Sequence, residues 1–278
     1  MVILTYFLLV TALIITIALT LARSKWRRET LTLRNKMKSA QIAFAKQFYD
    51  PREIENLPLP VRRYFLNALQ EGQAMISRVR FKQQGEFRQN EKSATWQPFH
   101  ATQCVTTNPP GFDWDARIRM APGIDVWVRD AYVVGGGSLR AAIFGFFTVA
   151  EQSNTEASSR GELMRYLAEA AWYPTALLPN QGIRWDTIDD SSARATISDG
   201  TITISLNFTF GVDGLITSVW TESRPRTSTD SSPWTCHYHG YEDQAGMRVP
   251  ITGEVEWELS GEPAPYLKGR MTHIEYEY

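Results

Sequence analysis

The sequence predicts an α+β protein: an N-terminal transmembrane helix, then a large curled antiparallel sheet, half-barrel-like and covered by a few helices. Three observations carry that reading. Residues 1–22 contain no charged side chain. Several runs beyond residue 75 alternate apolar and polar residues with period two, the signature of half-buried strands. Short turn signals separate those runs, so consecutive strands join as hairpins, about 10–12 of them between residue 75 and the C-terminus.

The first element is the apolar segment. At ~1.5 Å per residue, 22 helical residues span roughly 33 Å, enough for a bilayer core. Its threonines, at positions 5, 11, 16 and 20, return their hydroxyls to the helix backbone. A cleaved signal peptide would call for a basic start, a shorter apolar run and a small-residue cleavage site, and the segment fits these poorly. The expectation is an uncleaved single-pass anchor. Basic residues follow the segment and none precedes it, which orients the N-terminus outside and the following domain on the cytoplasmic side.

Residues 23–50 form the second element. Eight Lys or Arg lie between Arg23 and Phe48 against Glu29 alone, a local charge of +7 in a chain whose total is −1. Leu33, Met37, Phe44 and Phe48 recur at helical spacing. Such a basic amphipathic helix beside a bilayer meets anionic lipid headgroups, with Arg23, Lys25, Trp26, Arg27, Arg28, Lys36 and Lys38 as the membrane-surface candidates. The competing reading is an ordinary helix whose apolar stripe packs on the domain. The remainder of the chain is acidic and carries no recognition motif, which excludes nucleic acid as a partner.

Residues 51–278 form the third element, read as one soluble domain. Asp50-Pro51 is an N-cap followed by proline at the first helical position. Val61, Tyr64, Phe65, Ala68 and Leu69 make one face of a short helix that Gly72 ends. Phe112, Trp114, Ala116, Ile118 and Met120 then alternate with Asp113, Asp115, Arg117 and Arg119. Ile202 to Phe210 and Met247 to Leu259 alternate in the same way. A helix over Ser159 to Ala171, with Leu163, Tyr166, Leu167 and Ala170 on one face, interrupts the strands. Two short helices are little cover for so many strands, so the sheet either curls around them or leaves an apolar hollow.

The residues that could carry chemistry are few, and no catalytic set emerges. Gly135-Gly136-Gly137-Ser138 lacks the lysine of a phosphate loop and reads as a hairpin turn; no cofactor motif is present. His237 and His239 share a strand face, but nothing in the sequence brings a third ligand to them, so no metal is expected. Cys104 and Cys236 would pair only in an oxidising compartment. The Asp113, Asp115 and Asp125 group could act as acid and base, or could form, together with Asp130, a solvated face held by cross-strand pairs with Arg117, Arg119 and Arg129. Nine tryptophans either fill a core or line a cavity.

Separated markers carry a resemblance to a bacterial family of unknown function. They are Leu57-Pro58-Leu59-Pro60-Val61-Arg62-Arg63-Tyr64, Pro109-Pro110-Gly111-Phe112-Asp113-Trp114-Asp115-Ala116-Arg117-Ile118-Arg119-Met120, Gly161-Glu162-Leu163-Met164-Arg165-Tyr166-Leu167-Ala168-Glu169 and Met247-Arg248-Val249-Pro250. The resemblance spans roughly residues 57 to 278 and implies no activity. At the level of fold, the strand series with its interrupting helix resembles the half-barrels of lipoprotein carriers, which implies a hollow able to hold acyl chains.

These readings converge on a membrane-tethered binding module for a lipid or other apolar ligand, lined by Trp114, Ile118, Ile204, Phe208, Phe210, Val255 and Trp257. The alternatives are a scaffold or assembly factor docking a membrane protein complex, and a membrane-associated enzyme using the Asp113/Asp115/Asp125 group.

Overall fold

The computed structural model describes residues 2–42, 47–89 and 93–278. A single helix, α1 (Val2–Ala40), contains both the apolar segment and most of the basic stretch. The helix continues through residue 22 without a break, as no Gly or Pro interrupts residues 2–40. The helix ends at Ala40, so residues 23–50 are not one helix. Of its apolar stripe, Phe44 lies outside the described residues, Met37 is buried and Leu33 packs beside it.

The described strands number thirteen, more than the alternation predicts: β1 (Arg78–Phe87), β2 (Gln97–Thr106), β3 (Gly111–Ala121), β4 (Ile124–Val133), β5 (Gly136–Ile143), β6 (Phe147–Ser153), β7 (Arg184–Thr187), β8 (Ser192–Asp199), β9 (Ile202–Phe210), β10 (Ile216–Pro225), β11 (Ser231–Gln244), β12 (Met247–Leu259) and β13 (Glu262–Glu277). β6 has no buried face and β7 has four residues, so neither leaves a period-two trace. All thirteen form one antiparallel sheet in the order β6-β5-β4-β3-β2-β1-β13-β12-β11-β10-β9-β8-β7. The sheet is open, with β6 and β7 as its edges.

That order dictates the position of the interrupting helix, α3 (Glu156–Glu169). It connects β6 to β7, strands on opposite edges, so the chain must cross the whole sheet between them. α3 touches β3, β4, β5 and β6 on one half and β9 and β10 on the other. Contact with strands so far apart in order requires the sheet to curl around the helix. Thr155 caps α3, accepting a hydrogen bond from the Ser158 amide, and Ser158 and Ser159 bond Gly137 of β5. A Cβ on Gly137 would lie 2.3 Å from the Ser158 carbonyl oxygen, so only glycine permits this approach.

The antiparallel order also gives the sheet two distinct rims. The β1–β2, β3–β4, β5–β6, β8–β9, β10–β11 and β12–β13 turns lie on one, here called upper; the other turns lie on the lower rim. The short helix α2 (Leu59–Ala68) closes the lower rim. Its Val61, Tyr64, Phe65 and Ala68 are buried. Arg63 donates to the Asp190 carbonyl at 2.7 Å and Asn67 to the Asp213 carbonyl at 2.9 Å, both in lower-rim turns.

The basic half of α1 lies on the outer face of the sheet. On β3, Phe112, Trp114, Ala116 and Ile118 enter the core while Asp113, Asp115 and Arg117 point to the opposite face. Trp26, Thr30 and Arg34, four residues apart on α1, meet that face. Trp26 Nε1 and Thr30 Oγ1 donate to Asp115 at 2.9 and 3.1 Å, and Arg34 Nε donates to Asp113 at 2.7 Å. Glu29 bridges Arg129 and Arg140 at 3.2 and 2.8 Å. Trp26 packs edge-on against Trp127, centroids 5.6 Å apart, and Met37 packs against Ala131 and Val133.

Trp26 is therefore on the sheet-facing side of α1 and not on its exposed surface. It is 1% exposed, because its ring and indole N–H are both engaged by the sheet. Arg23, Lys25, Arg27, Arg28, Lys36 and Lys38 remain exposed.

Candidate functional site

The curl leaves a hollow of about 560 Å³ between the concave face and α3, within the usual size range of small-molecule sites. Its sheet wall is largely apolar: Phe87, Phe99, Ile118, Met120, Val126, Val128, Leu139, Ala141, Val149, Val255 and Leu267 contribute. Trp172, Tyr238 and Met271 line it on the side away from the upper rim. Gln89, Val149 and Thr227, beside upper-rim turns, are lining residues that also face solvent, so the hollow opens at that rim.

The α3 side is ionic. Glu162, Arg165 and Glu169 follow one another at spacings of three and four, which stacks them on one helix face. Arg165 bonds Asp130 of β4 at 2.5 Å and Glu169 at 2.8 Å. Gln103 donates to the other Glu169 oxygen at 2.5 Å. Arg224 of β10 lies 4.0 Å from Glu162 and donates to the Gly161 carbonyl at 3.1 Å. Both guanidinium groups are stacked on aromatic rings, Arg165 over Phe112 and Trp114, Arg224 over Trp234 and Trp257.

Burial pushes the Glu162 carboxyl up to about 8, with the neighbouring Asp130 charge adding to the effect, so Glu162 is mostly protonated at neutral pH. Burial raises Asp130 as well, against the pull of Arg165 and Arg224. Glu162 Oε2, Asp130 Oδ1 and Trp172 Nε1 are buried atoms without a protein hydrogen-bond partner, and all three residues line the hollow. Unpaired buried polar atoms are costly; here they are available to a polar group of a bound molecule.

The lining residues expected from the alternation divide into two sets. Trp114, Ile118, Val255 and Trp257 border the hollow. Ile204, Phe208 and Phe210 of β9 do not. They are buried in the filled half of the core, where Phe208 packs on Trp185 at 5.0 Å and Phe210 on Tyr64 at 5.8 Å. Period two tells which face a side chain occupies; it does not tell whether another element fills the space above that face.

The other candidate chemistry is dispersed. Asp113 and Asp115 are held under α1, and Asp125 faces Arg119 at 3.8 Å near the β3–β4 turn; none lines the hollow. His237 pairs with Glu256 at 3.1 Å. Among the described residues no three His, Cys, Asp or Glu side chains gather as a metal site. Cys104 and Cys236 are both free and buried, on strands separated by β1, β13 and β12. The ionic side of the hollow was missed from sequence. Its legible signal is the spacing of Glu162, Arg165 and Glu169, which puts three charged residues on one face of α3; Arg224 carries none.

An open, strongly curled antiparallel sheet with a helix across its concave face and a hollow beneath that helix defines the class. The chain belongs to the family of unknown function DUF6920, whose match covers residues 55–276. A comparison with curated proteins gives no match. Among solved structures, the chain is similar to a LolA superfamily protein from Nitrosomonas europaea, with 9% identity, 88% of this chain and 94% of that one covered and a TM-score of 0.36. It is also similar to a porin-like protein from Bacteroides uniformis, with 10% identity, 73% and 96% covered and a TM-score of 0.24.

Proposed function

We propose that the chain is a membrane-tethered binding module that holds a lipid or another amphiphile in the hollow of its curled sheet. The observation that carries this reading is the hollow itself: about 560 Å³ with an aliphatic and aromatic wall facing an ionic stripe. An acyl chain against the sheet wall gains about 0.8 kcal/mol per buried CH₂. A polar end group meets Arg165, Arg224 and the unpaired oxygens of Glu162 and Asp130. Residues 1–22 act as the tether, which raises the local concentration of membrane lipid at the site. The length and apolarity of α1, whose residues 2–17 are exposed but for a half-buried Thr11, support that role.

Native mass spectrometry of the full-length chain tests the reading. After activation strips surface lipids, one lipid-sized adduct should remain, and Val255→Trp, which fills the hollow, should remove it. An adduct pattern unchanged by Val255→Trp would sink the pocket assignment.

A further inference from the structure

The upper rim, where the hollow opens, is also the rim toward which α1 leaves the domain. Trp26 meets Trp127 and Ala142, near the upper ends of β4 and β5, whereas Met37 meets Ala131 and Val133 near the lower end of β4. The helix therefore runs alongside β4, and its apolar N-terminal half points past the upper turns. The spans agree: Trp26 to Met37 rises about 16 Å as helix, and Trp127 to Val133 about 20 Å as strand. From Trp127 up to the β3–β4 turn is roughly 13 Å, about nine helical residues, which brings that turn level with about residue 17. Ala18 and Leu19 are accordingly half-buried and Ala22 is buried, although most of the residues before them are exposed.

The turns at that level carry the side chains a bilayer surface accepts. Phe146 and Phe147, at the β5–β6 turn, are 57% and 62% exposed, and Ile124 and Val149 are exposed beside them. These turns are fixed to the helix. The Phe144 amide donates to the Asp125 carbonyl at 2.9 Å, joining the two turns. Gly145 lies so close beneath Trp127 that a Cβ there would be 2.4 Å from the ring, and Trp127 in turn packs on Trp26.

We propose that the β3–β4 and β5–β6 turns rest in the same bilayer that holds residues 1–22, so that the hollow opens onto the membrane surface. This rests on the tether reading above. The occupant is set by continuity: the exposed aromatic turns extend the exposed apolar surface of α1 on the same side of the domain, and a bilayer that covers one reaches the other. The acidic β12–β13 turn, with Glu258 and Glu262, lies across the curl on β12 and β13, away from the exposed apolar side chains of the β3–β6 side. A lipid then passes from the bilayer to the hollow without crossing water.

The test places single labels on the full-length chain in vesicles of phosphatidylethanolamine and phosphatidylglycerol containing a spin-labelled quencher lipid. Both native cysteines are buried, so an environment-sensitive thiol dye reports the introduced site. Leu9→Cys reads the anchor, Phe146→Cys the upper turn, and Val212→Cys an exposed lower-rim turn. The expected result is loss of emission at 9 and 146 with none at 212. Quenching at 9 but not at 146 would overturn this inference and leave the tether intact. No quenching at 9 would overturn the tether and this inference together.

Discussion

Trp26 Nε1 donates a 2.9 Å hydrogen bond to Asp115 Oδ1 across 89 positions of sequence. The helix that holds the apolar N-terminus is thereby fixed to the sheet that holds the hollow. The basic half of α1 is a rigid strut on the outer face of the sheet, and the direction in which the apolar half projects is set by the same contacts.

Asp113 of β3 is the buried carboxyl beneath that strut, fully shielded from solvent between Arg34 and Arg129. Asp113→Ala leaves Arg129, itself buried, with one carboxylate fewer. Removing one partner of a buried pair costs about 3–5 kcal/mol. Denaturant titration of the detergent-solubilised chain should show a loss of that size, and a change within error would mean that the seam contributes little to stability.

Gly145 couples the β5–β6 turn to the strut through Trp127. Its φ is +71° and the space for a side chain is occupied by the Trp127 ring. Gly145→Val is expected to cost about 1–2 kcal/mol from the left-handed backbone alone, and to displace Trp127 from Trp26. Hydrogen exchange should then speed up across residues 23–37 of α1 while the amides of β9 to β12 keep their protection.

The hollow gives stability a pH dependence. The Glu162 carboxyl titrates at about 8 in the folded chain against 4.5 for a free glutamate, so folding favours its protonated form. That contribution is fully present below about 4.5 and is lost as the pH rises through about 8. Stability should fall across this window, and Glu162→Gln should flatten the fall. A wild-type curve that rises from pH 5 to 8, or a variant with the wild-type slope, would contradict the assignment.

Phe208 and Trp257 separate packing from binding. Phe208 is fully buried in the filled half of the core, and Phe208→Ala should cost about 3–5 kcal/mol with little effect on a retained lipid at temperatures where the variant is folded. Trp257 is half-buried, stacks on Tyr266 at 6.0 Å and borders the hollow. Trp257→Ala should cost less stability and more lipid retention, read by native mass spectrometry.

The sequence by itself determined the elements whose physics is local. An uncharged, Gly- and Pro-free run of 22 residues makes an apolar helix long enough to span a bilayer. The alternation in residues 112–120, 202–210 and 247–259 marks strands, and hairpin-length connections make them antiparallel. It also places Trp114 and Ile118 on the inner face and Asp113 and Asp115 on the outer one. Only the tertiary structure decided what lies against each face. That β1 pairs with β13, that α3 must cross from edge to edge, and that Phe208 is covered while Val255 is not all follow from strand order, which depends on contacts between residues far apart in the chain. The same holds for Trp26. Its place on α1 suggests a headgroup contact, but Asp115, brought up by β3, supplies the hydrogen bond that draws it onto the sheet. Local periodicity specifies a side chain's direction; long-range pairing specifies its neighbour.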